Sequence, residues 1–186
     1  QELLIKYSNE NKFFPTQDSN VISNSDIIIV CVPTPISEEI KPDLSFLKNV
    51  CNTISKFELD NKIIIIESSI PPKTFEHLIL PTLSKNKNKN FLASYIPERL
   101  SPGQAFKEIH NTSRVVGALD EESRIVSKAL YSKILKSKIF EADPIVAEMC
   151  KLVENTFRDV NVAFANEIAR ICEIYGIDVL ELRNIC

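Results

Sequence analysis

Three short segments place chemically active side chains beside prolines, directly after apolar runs. They are residues 31–35 (CVPTP), residues 67–72 (ESSIPP) and residues 95–99 (YIPER). A carboxylate such as Glu98 can act as a general base or orient a water molecule, and a hydroxyl such as that of Thr34 can hold the water in place. A single segment of this kind is more typical of an ordinary proline-rich turn. Three of them at one edge of a sheet favour a ligand-binding site.

A second group of polar residues has the spacing of one helix face. At about 100° per residue, Glu148, Asn155, Asp159 and Asn166 fall within a narrow arc, with Lys151 beside them. An ammonium and a carboxamide one turn apart, as in Lys151 and Asn155, can stabilise the oxyanion that forms when hydride leaves an alcohol or a thiol attacks an aldehyde. A solvated face is the alternative, but surface helices favour glutamate and lysine over asparagine. We therefore expect this face to contribute to the site.

Alternating strand and helix patterns precede that helix. Strands are predicted at residues 26–32, 62–67, 91–95, 113–119 and near Ile139, and helices at 44–57 with Asp43 as cap, at 74–83 with an interruption near Pro81, and at 120–135. The first strand is expected to be covered on both faces, since it is a continuous apolar run. This order predicts an α/β protein with a partial doubly wound, Rossmann-like parallel sheet whose strand ends meet along one edge.

One long helix follows the sheet. Asp143 and Pro144 form a cap and a first helical residue, and no helix breaker occurs before Gly176. A helix of about 32 residues, about 48 Å long, is predicted, with a second helix from Asp178. We expect residues 1–142 to form a partial sheet domain and residues 143–186 to begin a helical domain. Because residues 2–7 have the pattern of a helix end, we expect the first strands of the sheet to be missing.

The composition argues against several classes of protein. The net charge of −3 and the scattered lysines and arginines give no reason to expect a nucleic-acid partner. The longest apolar runs are too short to cross a bilayer, so we expect a cytoplasmic protein without a membrane partner. The five cysteines contain no CxxC pair, so neither a disulfide framework nor a metal site is predicted. The three glycines of the sequence, Gly103, Gly117 and Gly176, are too far apart to form a GxGxxG phosphate loop.

Five motifs give the sequence a family resemblance. They are CVPTP, ESSIPPKT (67–74), PERLSPG (97–103), SRVVGA (113–118) and AEMCKLVENTFRDVNVAFANE (147–167). Together they resemble the UDP-glucose/GDP-mannose dehydrogenase family over nearly the whole chain, and the PER and ENTFRDVN wording is most similar to members that act on UDP-N-acetyl-mannosamine. The resemblance implies a nucleotide-sugar 6-dehydrogenase of surface-polysaccharide biosynthesis. Such enzymes use NAD to oxidise the C6 alcohol of a UDP-sugar to a carboxylate in two steps, through a cysteine-bound thiohemiacetal and thioester.

The resemblance also implies roles for individual residues. The residues that would lie against NAD are Val32, Pro33, Thr34 and Ser69. Four residues are implied to be catalytic. Glu98 would be the base or water-orienting group, and Lys151 and Asn155 would hold the sugar and the oxyanion. Ser69 would contribute its hydroxyl. Arg99 and Leu100 would lie along the substrate together with Lys151 and Asn155. The helical middle domain of such enzymes forms their dimer core, so a homodimer through the long helix is expected.

The sequence departs from the family pattern in ways that affect function. Lys73 stands where the family often has glycine, after the two prolines. No glycine-rich segment carries a nucleophilic cysteine, and Cys186 does not lie in such a segment. Without a thiol nucleophile there is no covalent intermediate, and without the phosphate loop NAD should bind weakly. We therefore expect the fragment to be inactive alone.

Two other functions stay open from the sequence. The chain could be a non-catalytic dimerisation module, built on the apolar face of the helix at residues 144–175. It could also belong to a different β-hydroxyacid dehydrogenase with the same plan of a sheet followed by a long helix, although the PER and ENTFRDVN motifs argue against this.

Overall fold

The chain alternates strands and helices up to one long helix. The computed structural model describes residues 2–85, 90–100 and 103–186. The elements in these ranges are α1 (Glu2–Asn9), a 3-10 helix (Ser19–Asn24), β1 (Ile27–Val30), α2 (Ser45–Ile54), β2 (Ile63–Ile66), a π-helical turn (Phe75–Ile79) leading into α3 (Leu80–Leu83), β3 (Leu92–Tyr95), α4 (Ala105–Glu108), β4 (Arg114–Gly117), α5 (Glu121–Ser132), β5 (Ile139–Ala142), α6 (Pro144–Tyr175) and α7 (Val179–Ile185).

The strands form one sheet in the order β1-β2-β3-β4-β5. The pairs β1–β2, β2–β3 and β4–β5 are parallel, which confirms the predicted α/β class. The pair β3–β4 is antiparallel and consists of the single contact between Tyr95 and Gly117, so the sheet is mostly parallel rather than wholly so. Only the short α4 is described between these strands, and an antiparallel neighbour needs no helical crossover.

Two apolar clusters cover the two faces of the sheet. One packs Ile64 and Ile66 of β2 against α2, the π-helical turn and the start of α6, and the other packs Ile65 against Val116 and α5. Successive side chains of a strand point to opposite faces, which is why four consecutive isoleucines in β2 supply both clusters. The sheet is therefore covered by helices on both sides, as a doubly wound fold requires.

The prediction that the first strand is covered on both faces is wrong. Ile27 and Ile29 of β1 are 39% and 50% exposed, whereas Val30 is buried in the larger cluster. β1 is an edge strand in this chain, and α5, which covers that face, packs against β2 to β5 instead. Its continuous apolar run gave no sign of this difference between the two faces.

The helix boundaries follow local capping chemistry closely. α6 spans Pro144–Tyr175 as predicted, and Gly176 ends it in the left-handed conformation with φ of 66°. The α2 helix begins at Ser45, one residue later than predicted, and the Asp43 carboxylate accepts a hydrogen bond from the backbone N of Ser45 at 2.8 Å. The predicted interruption near Pro81 takes the form of the π-helical turn that precedes this proline.

The first turn of α6 lies directly on β4 at Gly117. A Cβ atom at this glycine would stand 2.9 Å from the Cβ of Ala147 and 2.9 Å from the Cα of Pro144. Real Cβ atoms do not approach so closely, so only glycine allows the helix to start here. This contact fixes where the later residues of α6 meet the carboxyl ends of the strands. None of the helices in the described ranges is long and apolar enough to span a bilayer.

Candidate active site at the carboxyl ends of the strands

A cavity of about 260 Å³ lies where β1, β2 and β3 end. Its lining residues come from the three proline-containing segments and are Cys31, Val32, Pro33, Thr34, Glu67, Ser68, Ser69 and Glu98. Parallel strands end at the same edge of a sheet, so three sequence-distant turns converge. The structure thus brings together five residues for which roles were predicted: Val32, Pro33, Thr34, Ser69 and Glu98.

Side-chain hydroxyls tie the first two turns to each other. The Ser68 Oγ accepts a hydrogen bond from the backbone N of Val32 and donates one to the carbonyl O of the same residue, both at 2.8 Å. Thr34 donates from its Oγ1 to the carbonyl O of Ser69 at 2.7 Å. Ser68 was not distinguished from Ser69 in the sequence, but it supplies the bridging hydroxyl because its side chain points toward the turn after β1.

Glu98 and Lys151 form an ion pair at the edge of this cavity. The Lys151 Nζ donates to the Glu98 Oε1 at 2.9 Å and to the carbonyl O of Glu98 at 2.6 Å. The lysine side chain is 7% exposed and the glutamate side chain 44% exposed. A buried ammonium is stable only with such partners, and here a helix and a loop that are 53 positions apart in sequence supply them.

The environment of Glu98 keeps its carboxyl ionised. Partial burial by itself would raise its pKa, but the hydrogen bond from the backbone N of Leu100 and the bond and charge of Lys151 act in the opposite direction, with a further contribution from Arg114. The pKa of Glu98 consequently lies below its ordinary value. A carboxylate of low pKa is a weak base, so it is better suited to orienting water or holding a hydroxyl than to strong proton abstraction.

Arg99 and Leu100 follow Glu98 and are held differently. The backbone N of Leu100 donates to the Glu98 Oε2 at 2.8 Å. The Arg99 Nε donates to the Glu154 Oε2 at 2.8 Å, its Nη2 bonds the other oxygen of Glu154, and its Nη1 donates to the Ser113 Oγ at 2.9 Å. The guanidinium thus already has protein partners. Glu154 was not singled out in the sequence, although it lies one turn after Lys151 on the same helix.

Asn155 does not join the Glu98–Lys151 pair. Its Oδ1 accepts a hydrogen bond from the Arg158 Nη2 at 2.9 Å, and among the described residues Asn155 does not line the cavity. It lies on the same side of α6 as Lys151, about 6 Å further along the axis. Of the predicted helix group, only Lys151 bonds to Glu98.

Glu148 of the predicted polar arc has a structural task instead. Its side chain is buried, and its two carboxylate oxygens accept hydrogen bonds from the backbone N of Lys73 at 2.6 Å and of Phe75 at 2.8 Å. Lys73 adopts a left-handed conformation with φ of 67°. The lysine that replaces the family's usual glycine therefore takes up a backbone shape that glycine prefers, and Glu148 holds it there.

A second carboxylate, Glu67, lines the cavity and holds two protic side chains. The Tyr131 hydroxyl donates to its Oε1, and the Cys31 Sγ donates to its Oε2 at 3.6 Å. Partial burial, reinforced by the charge of Glu67, raises the pKa of the Cys31 thiol to about 11 and raises the pKa of Tyr131 as well. Both groups therefore stay protonated at neutral pH. Tyr131 comes from α5, and no pattern in the sequence connects it with Glu67.

The described residues contain no cluster of three or more histidine, cysteine, aspartate or glutamate side chains that could hold a metal ion. The polar side chains that line the cavity carry hydroxyls, carboxylates and a thiol, and the Lys151 ammonium bonds to one of these carboxylates.

Comparison with known proteins identifies two matched regions. Residues 1–135 match the NAD-binding domain of the UDP-glucose/GDP-mannose dehydrogenase family, and residues 145–186 match its central domain. The UDP-N-acetyl-D-mannosamine dehydrogenase of Methanocaldococcus jannaschii is 43% identical over 160 residues, which is 84% of this chain and 37% of the relative. That of Methanococcus aeolicus is 40% identical over 164 residues, which is 87% of this chain and 37% of the relative.

Solved structures show the same fold. The UDP-D-ManNAc dehydrogenase of Pyrococcus horikoshii superposes with a TM-score of 0.87 at 36% identity, covering 97% of this chain and 44% of that one. A ternary complex of GDP-mannose dehydrogenase from Pseudomonas aeruginosa gives a TM-score of 0.89 at 25% identity, covering 99% and 44%. The chain spans about two fifths of the length of the relatives that it matches. On these matches the chain belongs to the UDP-glucose/GDP-mannose dehydrogenase family, whose cofactor is NAD.

Proposed function

We propose that this chain supplies the sheet edge and the first central helix of a cytoplasmic, NAD-dependent nucleotide-sugar 6-dehydrogenase that acts on a UDP-sugar of the UDP-N-acetyl-mannosamine type. The relatives named for that activity, at about 40% identity, support the choice of substrate. The proposal includes the division at residues 142 and 143 between a partial NAD-binding domain and the start of a helical domain.

The single observation that carries the proposal is the Glu98–Lys151 pair at the rim of the cavity. Lys151 can donate to a sugar oxygen that becomes negative during oxidation, because its ammonium is largely removed from water and is therefore weakly screened. Glu98, ionised and half-exposed, can orient a water molecule or the C6 hydroxyl toward the cavity. The two residues supply opposite charges to one oxidation centre.

The turns after β1 and β2 are suited to holding one end of NAD. A cavity of about 260 Å³ falls below the roughly 300–1,000 Å³ of complete small-molecule sites, so it fits one ring system of a dinucleotide rather than the whole cofactor. Val32, Pro33, Thr34 and Ser69 would form the wall of this part. When bound, NAD would supply the acceptor for the hydride that leaves the alcohol.

The remaining site residues are proposed with narrower roles. The Ser69 side chain lies beside the cavity and can hold a water molecule for Glu98. Leu100 and the backbone of Arg99 can lie along the sugar, since they continue the Glu98 loop. Asn155, one turn beyond Lys151, can contact the substrate through its side-chain amide nitrogen, since its oxygen accepts the bond from Arg158.

NADH formation tests this function. The 186-residue chain, alone and as part of a longer chain that contains the remaining three fifths or so of a full-length relative, is given NAD with UDP-N-acetyl-mannosamine, UDP-glucose or GDP-mannose. We expect turnover from the longer chain, fastest with UDP-N-acetyl-mannosamine, and no turnover from the 186 residues alone. Absence of turnover with every sugar would end the proposal.

Variants make the test specific to the ion pair. Glu98→Gln and Lys151→Met in the longer chain should each reduce kcat by about 100-fold or more, as general acid–base and electrostatic groups do when removed. Glu167→Gln is the matched control, since Glu167 is an exposed glutamate on the same helix that pairs only with a nearby arginine among the described residues. Equal rates in all three variants would exclude the pair from catalysis.

A homodimer through α6 is proposed alongside the catalytic function. Large apolar side chains are exposed along this helix, including Val153, Phe157, Val160, Phe164 and Ile174, at 57% to 79%. Such a stripe is costly to leave in water and favours association with a second copy. Analytical ultracentrifugation of the chain should give a dimer that Phe157→Glu and Phe164→Glu dissociate. A folded wild-type chain that stays monomeric at all concentrations would exclude both the dimer and the alternative of a non-catalytic dimerisation module.

A further inference from the structure

Two consecutive residues of the loop after β3 bind two residues of α6 that lie one turn apart. Glu98 pairs with Lys151, and Arg99 pairs with Glu154. Along the loop the charges run negative then positive, whereas along the helix they run positive then negative. Helix positions three apart are neighbours on the surface, so both pairs form side by side. A shift of the loop by one residue would put Arg99 beside Lys151, where like charges repel.

The guanidinium of Arg99 joins three separate parts of the chain. Its Nε and Nη2 bond both oxygens of Glu154 on α6, while its Nη1 donates to the Oγ of Ser113 at 2.9 Å and to the carbonyl O of Ser113 at 3.2 Å. Ser113 directly precedes β4. The planar guanidinium presents its N–H groups in a fixed geometry, so this two-oxygen contact sets direction as well as distance. The arginine side chain is 19% exposed, so water only partly competes for these bonds.

We propose that the Arg99–Glu154 pair is a positioning latch, which holds the loop after β3 on α6 so that the Glu98 carboxylate stays against Lys151. The latch rests on the proposed role of Glu98, and neither of its residues touches the reacting atoms. It assigns to the Arg99 side chain a task different from contact with the substrate. It also explains the role of Glu154, which does not line the cavity and, among the described residues, acts only through Arg99.

The sign of one pKa change distinguishes positioning from simple electrostatics. The groups that act on the Glu98 carboxyl are Lys151 from α6, Arg114 from β4, and the backbone N of Leu100 in its own loop. Glu154→Gln removes a negative charge, which by electrostatics alone would lower the pKa of Glu98 further. If the latch fails instead, Glu98 loses its contacts with Lys151 and Leu100, and its pKa rises toward the ordinary glutamate value.

Carbon-13 NMR titration of the Glu98 carboxyl in the 186-residue chain measures this shift directly. In Glu154→Gln we expect an upward pKa shift and faster hydrogen exchange at the Leu100 amide, which donates to Glu98 in the wild type. An unchanged or lowered pKa in a folded variant overturns the latch. Glu167→Gln is the control and should leave the Glu98 pKa and the Leu100 exchange rate unchanged, since its partner Arg170 is exposed and lies one turn along the same helix.

A second variant covers the case in which Glu154→Gln does not fold. Arg99→Lys keeps the charge, but a lysine cannot bond Glu154 and Ser113 with a planar set of donors. It should raise the Glu98 pKa in the same direction, and no change would overturn the proposal. The titration needs no substrate, so it is independent of the activity assay. If the variants show the pKa shift but the longer chain has no dehydrogenase activity, the proposed function is refuted and the latch is still supported.

Discussion

Substitution of Glu148 tests whether the loop after β2 is held in place from α6. In Glu148→Gln one oxygen remains to accept a hydrogen bond, while the side-chain amide must face the other backbone N–H, that of Lys73 or Phe75. One charge-assisted bond is lost, at about 1.5–3 kcal/mol, and a buried donor is left without an acceptor, at about 1–3 kcal/mol. Relief of the buried carboxylate offsets part of this loss. We expect a net loss of about 2–4 kcal/mol in the free energy of unfolding.

Urea and thermal unfolding measure that loss. For a chain of this size, about 2–4 °C of Tm corresponds to each kcal/mol, so a decrease of about 4–16 °C is expected. Hydrogen exchange should accelerate at the amides of Lys73 and Phe75. Glu167→Gln, an exposed substitution on the same helix, should change stability by less than about 0.5 kcal/mol. A Glu148→Gln chain as stable as this control would refute the assignment of Glu148 as an anchor.

The pH dependence of the same variant gives an independent check. Burial, together with the nearby charge of Glu76, raises the pKa of Glu148 even though backbone N–H groups act in the opposite direction. A carboxyl with a raised folded pKa makes the native state less stable as pH rises from the ordinary glutamate value to the folded value. The contribution of Glu148 makes the wild type lose stability with rising pH in this range, and the Gln variant has no such contribution. The gap in free energy of unfolding between wild type and Glu148→Gln should therefore narrow as pH rises from the ordinary glutamate pKa to the raised one.

Four further outcomes are expected. Gly117→Ala should cost about 1–3 kcal/mol in urea unfolding, because its Cβ meets the backbone of α6 at 2.9 Å. Lys73→Gly should raise the free energy of unfolding by about 0.5–1 kcal/mol, because removal of the strain of a left-handed lysine outweighs the extra backbone entropy that glycine gives the unfolded chain. A lower free energy of unfolding in this variant would contradict the prediction. Glu98→Gln should lower the free energy of unfolding at neutral pH, because it removes the interactions of the ionised carboxylate. The gap in stability between wild type and variant should shrink as pH falls through the lowered Glu98 pKa, because protonation then removes the same interactions from the wild type. Iodoacetamide should modify Cys31 about 100-fold more slowly than a thiol with a pKa of 9.0, and Glu67→Gln should accelerate it, as measured by peptide mass spectrometry.

Patterns of local chemistry predicted much of this fold. Pro144 and Gly176 mark the two ends of α6 as predicted, because such residues act within one turn of the chain, although the Asp143 side chain makes no capping hydrogen bond. The meeting of the proline-containing turns followed from the parallel strand order, since parallel strands present their ends at one edge. The first inference depends on rules that act within one turn of the chain, and the second depends on the general geometry of parallel sheets.

Contacts that depend on tertiary geometry could not be predicted in the same way. The burial of β1 on one face alone depends on which strands α5 covers, and the sequence of β1 does not encode this. Glu148 and Lys151 share one face of α6, yet one binds the loop after β2 and the other the loop after β3. Helical periodicity groups such residues by direction, but it does not specify which loop each of them meets.

The contact between Gly117 and the first turn of α6 also sets the direction of the whole helix. The helix is 32 residues long, about 48 Å from end to end, so a change of angle at its start grows into a larger displacement at its far end. A tilt of about 5° at the point where Pro144 rests on β4 would displace the far end by about 4 Å. A small side chain at position 117 that tilted α6 would therefore displace the residues near Tyr175 more than those beside the sheet. A partner bound along the exposed face of the helix would have to move with them.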